Sequence, residues 1–182
     1  MISFANGKYL KTKEIAIPVV DDYVGTVRGF RIFTTGTTTQ HQLFRIDDHI
    51  NRLILSAGKI HMNIPYSYSE LSNIIKNTIE KNKSIKEELT LLIFFSGGPS
   101  DYSKVRPLEP AKLYILVNKF SSPSMDWYNN GISVATYCYQ RQYPTVKLLN
   151  YVGAVIAHQT VIPKYNAQEG LFISPKDKNT IL

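Results

Sequence analysis

The sequence has little cysteine, no long apolar run and no block of like charge. Its one cysteine, Cys138, allows no intrachain disulfide and argues against a zinc cluster. Cysteine this scarce favours a reducing compartment. No apolar stretch approaches the ~20 residues that a membrane span needs. The opening Met1-Ile-Ser-Phe-Ala-Asn-Gly lacks a basic start followed by an apolar run, so no signal peptide is read. The expectation is a soluble, cytoplasmic protein with no membrane partner. The formal net charge is +7, but Lys and Arg are scattered from Lys8 to Lys178 with acids among them. That describes a solvated basic surface better than a nucleic-acid face. His41, His61 and His158 have no spacing that suggests a metal site, and no repeat or low-complexity tract interrupts the chain.

Against these absences stand 182 residues that are 43% hydrophobic and 19% charged, enough to bury a core in one generous domain or two small ones. Such a composition excludes wholesale disorder. The 12 tyrosines fit either aromatic-rich strands or an interface.

The first part reads as strands and turns. Asn6-Gly7 is a hairpin signal. Ile15-Ala-Ile-Pro-Val-Val is a short apolar run that Pro18 would place at a sheet edge or strand end. Residues 29–39 are rich in β-formers with Gly36 as a turn, and the strand 42–46 follows. Ile50, Leu53, Ile54, Ala57 and Ile60 have helical spacing, predicting a helix from Asp47 to about Met62. Ser67-Tyr-Ser-Glu70 fits a capping box, and Leu71, Ile74, Ile75 and Ile79 would be the buried stripe behind it. Strands are predicted at 89–95, ended by Gly97-Gly98-Pro99, and at 111–120. Ser121-Ser-Pro-Ser-Met125 is the best linker in the chain. It would divide an N-terminal small α+β domain, 1–120, from a second domain starting at 126 and running to 182. Beyond it come a strand at 131–139, a helix from Tyr151 to about Val161 stopped near Pro163, and a strand from Gly170. Mixed strands and helices in both halves support an α/β or α+β class, and pattern alone goes no further.

Three clusters could carry chemistry. Arg52 lies one helical turn beyond His49. A guanidinium there could clasp a phosphate through two hydrogen bonds, or it could be an ordinary surface arginine paired with Asp48. Lys147 sits between a strand and a helix, bracketed by Val146, Leu148 and Leu149. Desolvation disfavours an ammonium and leaves an amine able to act as nucleophile and base; the plainer reading is a stem on apolar surface with its head in water. Ser96-Gly-Gly-Pro-Ser-Asp101 could bring backbone close to a phosphate, or be only a turn; it is neither a Walker sequence nor the Rossmann glycine pattern.

Together these segments resemble the class IV aminotransferases, the pyridoxal-phosphate family that includes branched-chain and D-amino-acid aminotransferases and aminodeoxychorismate lyase. The similarity runs along nearly the whole chain: the Asn6-Gly7 opening strand, Arg28-Gly29-Phe30-Arg31-Ile32-Phe33, His49-x-x-Arg52-Leu53-x-x-Ser56-Ala57, the Ser67–Glu70 helix start, the Gly97-Gly98 strand end, Arg141 to Tyr151, and the strand at Gly170. The resemblance implies a two-domain fold-type IV enzyme, of mixed α+β class, with the cofactor pyridoxal 5'-phosphate between the domains. It implies Lys147 as the lysine of the internal Schiff base and proton shuttle, Arg52 as the phosphate ligand, Tyr151 beside the cofactor ring, and Phe33 in the substrate pocket. Amino-group transfer between an amino acid and a 2-oxo acid, in a homodimer, is the implied activity. An aminodeoxychorismate lyase-like enzyme, which eliminates pyruvate, is the alternative on the same cofactor.

Two departures stand out. Family members usually carry a small residue where Arg31 stands and often an acid where Thr34 stands, so Arg31 would alter the pocket entrance or recognise a substrate carboxylate. The family also continues past Leu182 to a glutamate that pairs with the pyridinium nitrogen. The expectation is therefore an incomplete C-terminal domain, either in a fragment of a longer chain or in a truncated, non-catalytic relative kept for association.

Overall fold

The computed structural model describes residues 1–177 and 179–182; Lys178, last of the scattered basic residues, lies outside them. The chain forms two compact units. The first is Met1–Phe120 together with Thr145–Leu149, and the second is Ser121–Pro144 with Asn150–Leu182.

The first unit is built on a six-stranded sheet in the order β2-β1-β6-β5-β3-β4, every neighbouring pair antiparallel. β1 (Ile2–Ala5) and β2 (Lys8–Lys11) form the predicted hairpin. Asn6 (φ 43°) and Gly7 (φ 89°) both take the left-handed conformation that a two-residue turn requires. β5 (Leu89–Ser96) and β6 (Lys112–Lys119) are the central strands, aligned along their full lengths. β3 (Arg31–Thr39) pairs with β5, and β4 (Gln42–Leu43) closes the edge.

Two amphipathic helices cover one face of this sheet. α2 (Ile46–Lys59), which follows the single-turn helix α1 (Tyr23–Thr26), buries Ile50, Leu53 and Ala57. α3 (Tyr68–Glu80) buries Leu71, Ile75 and Ile79. Ser67 and Glu70 exchange both bonds of the capping box, so two of the orphan donors at the α3 N-terminus are satisfied by side chains. Side chains of successive strand residues point to opposite faces. Ile32, Phe95 and Leu113 accordingly meet the helices, while Phe33, Phe94 and Tyr114 lie on the other face.

Three local expectations are corrected. Residues 15–20 form no strand; Ile15 and Ile17 instead pack against Phe33, Phe94 and Tyr114. Gly36 is not a turn but lies within β3, where a Cβ would come 2.6 Å from His49 Nε2 and 2.8 Å from Leu43 Cδ1. Its missing side chain is what lets α2 and β4 approach the strand. The strand expected at 42–46 is two residues long, because Arg45 (φ 53°) turns the chain into α2 and pairs with Asp48.

The second unit begins with α4 (Met125–Asn130), so the expected linker runs directly into a helix. β7 (Val134–Cys138) and β8 (Glu169–Ile173) are parallel neighbours. The connection between them contains α5 (Val152–Gln159) and α6 (Val161–Lys164), as a parallel pair requires a long crossover. The helix expected from Tyr151 to Val161 breaks at Thr160 (φ −123°, ψ −77°). Pro163 sits inside the first turn of α6, where its absent N–H would have had no helical partner. Among the described residues, no helix is long and apolar enough to cross a membrane.

Candidate active site

The face of the first sheet away from its helices carries a row of aromatic side chains. Phe33 on β3 stands opposite Phe94 on β5, which stands opposite Tyr114 on β6. Phe94 and Tyr114 stack with ring centroids 5.0 Å apart, and all three are buried. Burial raises the ionisation point of the Tyr114 hydroxyl, and the nearby Asp22 charge raises it further.

Residues 145–149 bring a lysine to this row. The segment docks on β3 through a single antiparallel bridge, with Ile32 opposite Leu148. The Phe33 N–H donates to the Lys147 carbonyl at 2.9 Å, and the Leu149 N–H donates to the Arg31 carbonyl at 3.0 Å. The side chains of the segment divide between the two faces. Val146 is buried in the helix-side core with Leu148 packed against it, whereas Leu149 joins the aromatic face. Lys147 follows Leu149, and its half-buried side chain places Nζ 4.9 Å from the centroid of the Phe33 ring. An ammonium over the face of an aromatic ring is attracted by the ring quadrupole and partly shielded from water.

α2 flanks the same segment. Arg52, Ser56 and Lys59 form one stripe at helical spacing. The Lys147 N–H donates to Ser56 Oγ at 3.4 Å, and Lys59 Nζ donates to the Thr145 carbonyl at 3.3 Å. Arg52 is exposed and lies one turn N-terminal to the Ser56–Lys147 contact, which suits it to receive an anion beside the lysine. His49, on the preceding turn, shares a 2.7 Å hydrogen bond between its Nδ1 and Thr34 Oγ1. Burial lowers the His49 pKa from its usual value, the Arg52 charge lowers it further, and Asp48 opposes both. With a hydroxyl rather than an acid at position 34, the ring has no carboxylate at that contact to hold it protonated.

Arg31, expected at the pocket entrance, is bonded within the first unit. Its Nη2 donates to Asp22 Oδ2 and to Thr26 Oγ1, both at 2.6 Å, and its Nε donates to Ser96 Oγ at 2.7 Å. Asp22 is 1% exposed and the Arg31 side chain 20%, so the pair is largely withdrawn from water. The glycine turn after β5 belongs to this network as well. The Gly98 N–H donates to Asp22 Oδ1 at 2.8 Å, so that donor is directed at the carboxylate rather than at a ligand. Neither Asp22 nor Ser96 is distinguishable in the sequence from an ordinary turn residue. Ser56 carries a weak signal, its position four residues after Arg52.

Tyr151 lies in the second unit, where it caps α5 and its carbonyl accepts from the Val155 N–H at 2.9 Å. Its side chain is exposed, and Gly153 leaves room for the Tyr139 ring close behind it. No group of three or more metal-ligating side chains occurs among the described residues.

Comparison with known proteins points in one direction. Residues 31–180 match the family model described as amino-transferase class IV. A D-alanine aminotransferase of Staphylococcus haemolyticus is 25% identical over 169 residues, covering 92% of this chain and 58% of its own length. A putative branched-chain-amino-acid aminotransferase of Methanocaldococcus jannaschii is 25% identical over 159 residues, covering 85% and 53%. Among solved structures, a branched-chain aminotransferase of Thermoproteus uzoniensis with norvaline superposes with a TM-score of 0.80 at 20% identity, over 97% of this chain and 60% of that one. A hypothetical aminotransferase from Mycobacterium tuberculosis, in its PLP-bound form, gives a TM-score of 0.79 at 16% identity, over 100% and 64%. At such identities the solved structures establish the shared mixed α/β fold. The chain spans about 58% of the length of the D-alanine aminotransferases it matches.

Proposed function

The chain belongs to the class IV aminotransferases, and from that premise we propose that it serves a pyridoxal-phosphate-dependent transaminase, with Lys147 as the amine that binds the cofactor. The observation that carries this reading is the placement of Lys147: Nζ over the Phe33 ring, backbone pinned to β3 on one side and to Ser56 of α2 on the other. A nucleophilic amine needs a fixed direction and partial exclusion of water, and these contacts supply both.

The donor set fits the cofactor. Lys147 would bind its aldehyde carbon covalently through Nζ. Arg52 would receive its phosphate through the planar fork of the guanidinium, from the helix stripe that also meets the lysine segment. Phe33, backed by Phe94 and Tyr114, would form an apolar wall that keeps water from the amine. Tyr151 would lie near the cofactor ring and tune the Schiff base by a hydrogen bond, a role carried over from the family. When bound, the cofactor supplies an electron sink for the carbanion left when an amino acid loses its α-proton. Lys147 Nζ is then the base that takes this proton and the acid that returns it.

The substrates under this reading are an amino acid and a 2-oxo acid. D-alanine and branched-chain amino acids are the candidates that the names of the relatives suggest. The remaining partner proposed is a second copy of the chain, and the proposed compartment is the cytoplasm. Residues 126–182 would begin the cofactor-binding domain of the family, and 1–120 would be its small domain.

The test is the visible spectrum of the purified protein after addition of pyridoxal phosphate, with Lys147→Ala beside it. The expected result is a protein-bound absorption band that shifts when an amino acid is added and is missing from the variant. A folded wild-type protein that gives no band, or a Lys147→Ala variant that keeps it, would sink the assignment.

A further inference from the structure

We propose that Arg31, locked by Asp22 and Ser96, is a positioning residue for Lys147; this rests on the reading of Lys147 as the cofactor-binding amine. Arg31 is the first residue of β3, where a strand ordinarily frays. It is also the residue whose carbonyl accepts the Leu149 N–H, one of two main-chain bonds from β3 that bracket Leu148 and hold the lysine segment. The other, from the Phe33 N–H to the Lys147 carbonyl, lies two residues further along the strand. Any loosening at residue 31 is therefore passed to the backbone of residue 147 with no intervening element.

The side chain of Arg31 is arranged to prevent that loosening. Each of its three bonds goes to a different place in the fold: Asp22 before α1, Thr26 at the end of α1, and Ser96 at the end of β5. The acceptors are themselves interlinked. Asp22 Oδ2 also accepts from Ser96 Oγ at 2.6 Å and from Thr26 Oγ1 at 2.9 Å, and Oδ1 accepts from the Gly98 N–H. A network satisfied at this many points fixes one arrangement. A withdrawn ion pair is weak evidence of added stability, because desolvation offsets its attraction. Its effect is better sought in geometry, and the geometry it controls is the docking edge for Lys147. The carbonyl of residue 31 is aligned by a side chain whose hydrogen bonds run to Asp22, Thr26 and Ser96, so its influence on the lysine passes through the main chain.

The experiment is amide hydrogen exchange on the full chain, resolved at single residues, for wild type, Asp22→Asn/Arg31→Met and Ser96→Ala. The double variant removes both charges together, so neither is left buried alone. The single variant keeps both charges and deletes the two links made by Ser96 Oγ, from Arg31 Nε and to Asp22 Oδ2, which serves if the double variant does not fold. The expected result is exchange about tenfold faster at the Phe33 and Leu149 amides, with the Ile93 and Ile115 amides of the central strands unchanged. The rate at which Lys147 forms its adduct with pyridoxal phosphate should fall by a similar factor in the same variants. Unchanged protection at Phe33 and Leu149 in a folded variant overturns the proposal. So does faster exchange without slower adduct formation, because the network would then be structural only. A wild-type chain that forms no adduct counts against the proposed cofactor role instead, while the exchange result still decides whether the network controls the segment.

Discussion

His49 ties the first turns of α2 to the sheet through its bond to Thr34, and its protonation state should be visible in the stability of the protein. Its folded pKa lies below the ordinary value of about 6.5, mainly through burial and then through Arg52. The unfolded chain therefore binds more protons at this position than the folded one in the window just below about pH 6.5. The contribution of the neutral ring is intact above that window and is lost progressively as the pH falls through it to the folded value. Thermal melts of wild type and His49→Asn from about pH 8 to about pH 5 should converge on acidification, because only the wild type carries this slope. Parallel curves would show that the ring does not titrate differently in the two states. The sequence suggested His49 and Arg52 as one turn of a helix, and the helix is there. It could not reveal Asp22, Thr26 and Ser96 as partners of Arg31, because a sequence pattern does not register which loop and strand end will meet in space. Lys147 was legible as an amine between apolar residues, but the ring beneath it belongs to a strand more than a hundred residues earlier.

The two long helices of the first unit were legible because their signal is local. The apolar spacing in α2 and α3 needed no knowledge of the sheet behind them, and the start of α3 was written in Ser67 and Glu70. Ser67→Ala removes the side-chain acceptor of the Glu70 N–H and leaves the box half open. Chemical denaturation of this variant should show a loss of about 1 kcal/mol. A loss within measurement error would mean that packing of Leu71 and Ile75 alone sets the start of this helix. Gly36 failed as a signal for the opposite reason. In isolation a glycine among threonines looks like a turn, and only the approach of His49 and Leu43 explains why a strand passes through it. Pro163 misled in the same way: it marks the start of α6 rather than the end of α5, because the break comes three residues earlier at Thr160.

At the scale of the molecule, the break in composition at Ser121 does not separate everything before it from everything after it. Residues 145–149 return to the first unit, where Val146 is 3% exposed in the helix-side core and Leu148 faces Ile32. A fragment ending at Phe120 should therefore be less stable than the first unit within the full chain. Loss of one buried valine and of the strand contact amounts to about 2–4 kcal/mol. Comparative urea denaturation measures this, and equal midpoints would mean that the segment rests on the sheet without supporting it. The same return path orders events during synthesis. Lys147 and Ser56, which meet in the folded protein, are 91 residues apart in the chain. All six strands of the sheet have left the ribosome before the lysine does. Until then the Arg31–Phe33 edge of β3 is an open strand border, competent to pair with any extended chain that reaches it. The strand edge that receives residues 145–149 is thus, for the interval of translation, also a place where a neighbouring nascent chain can pair in their stead.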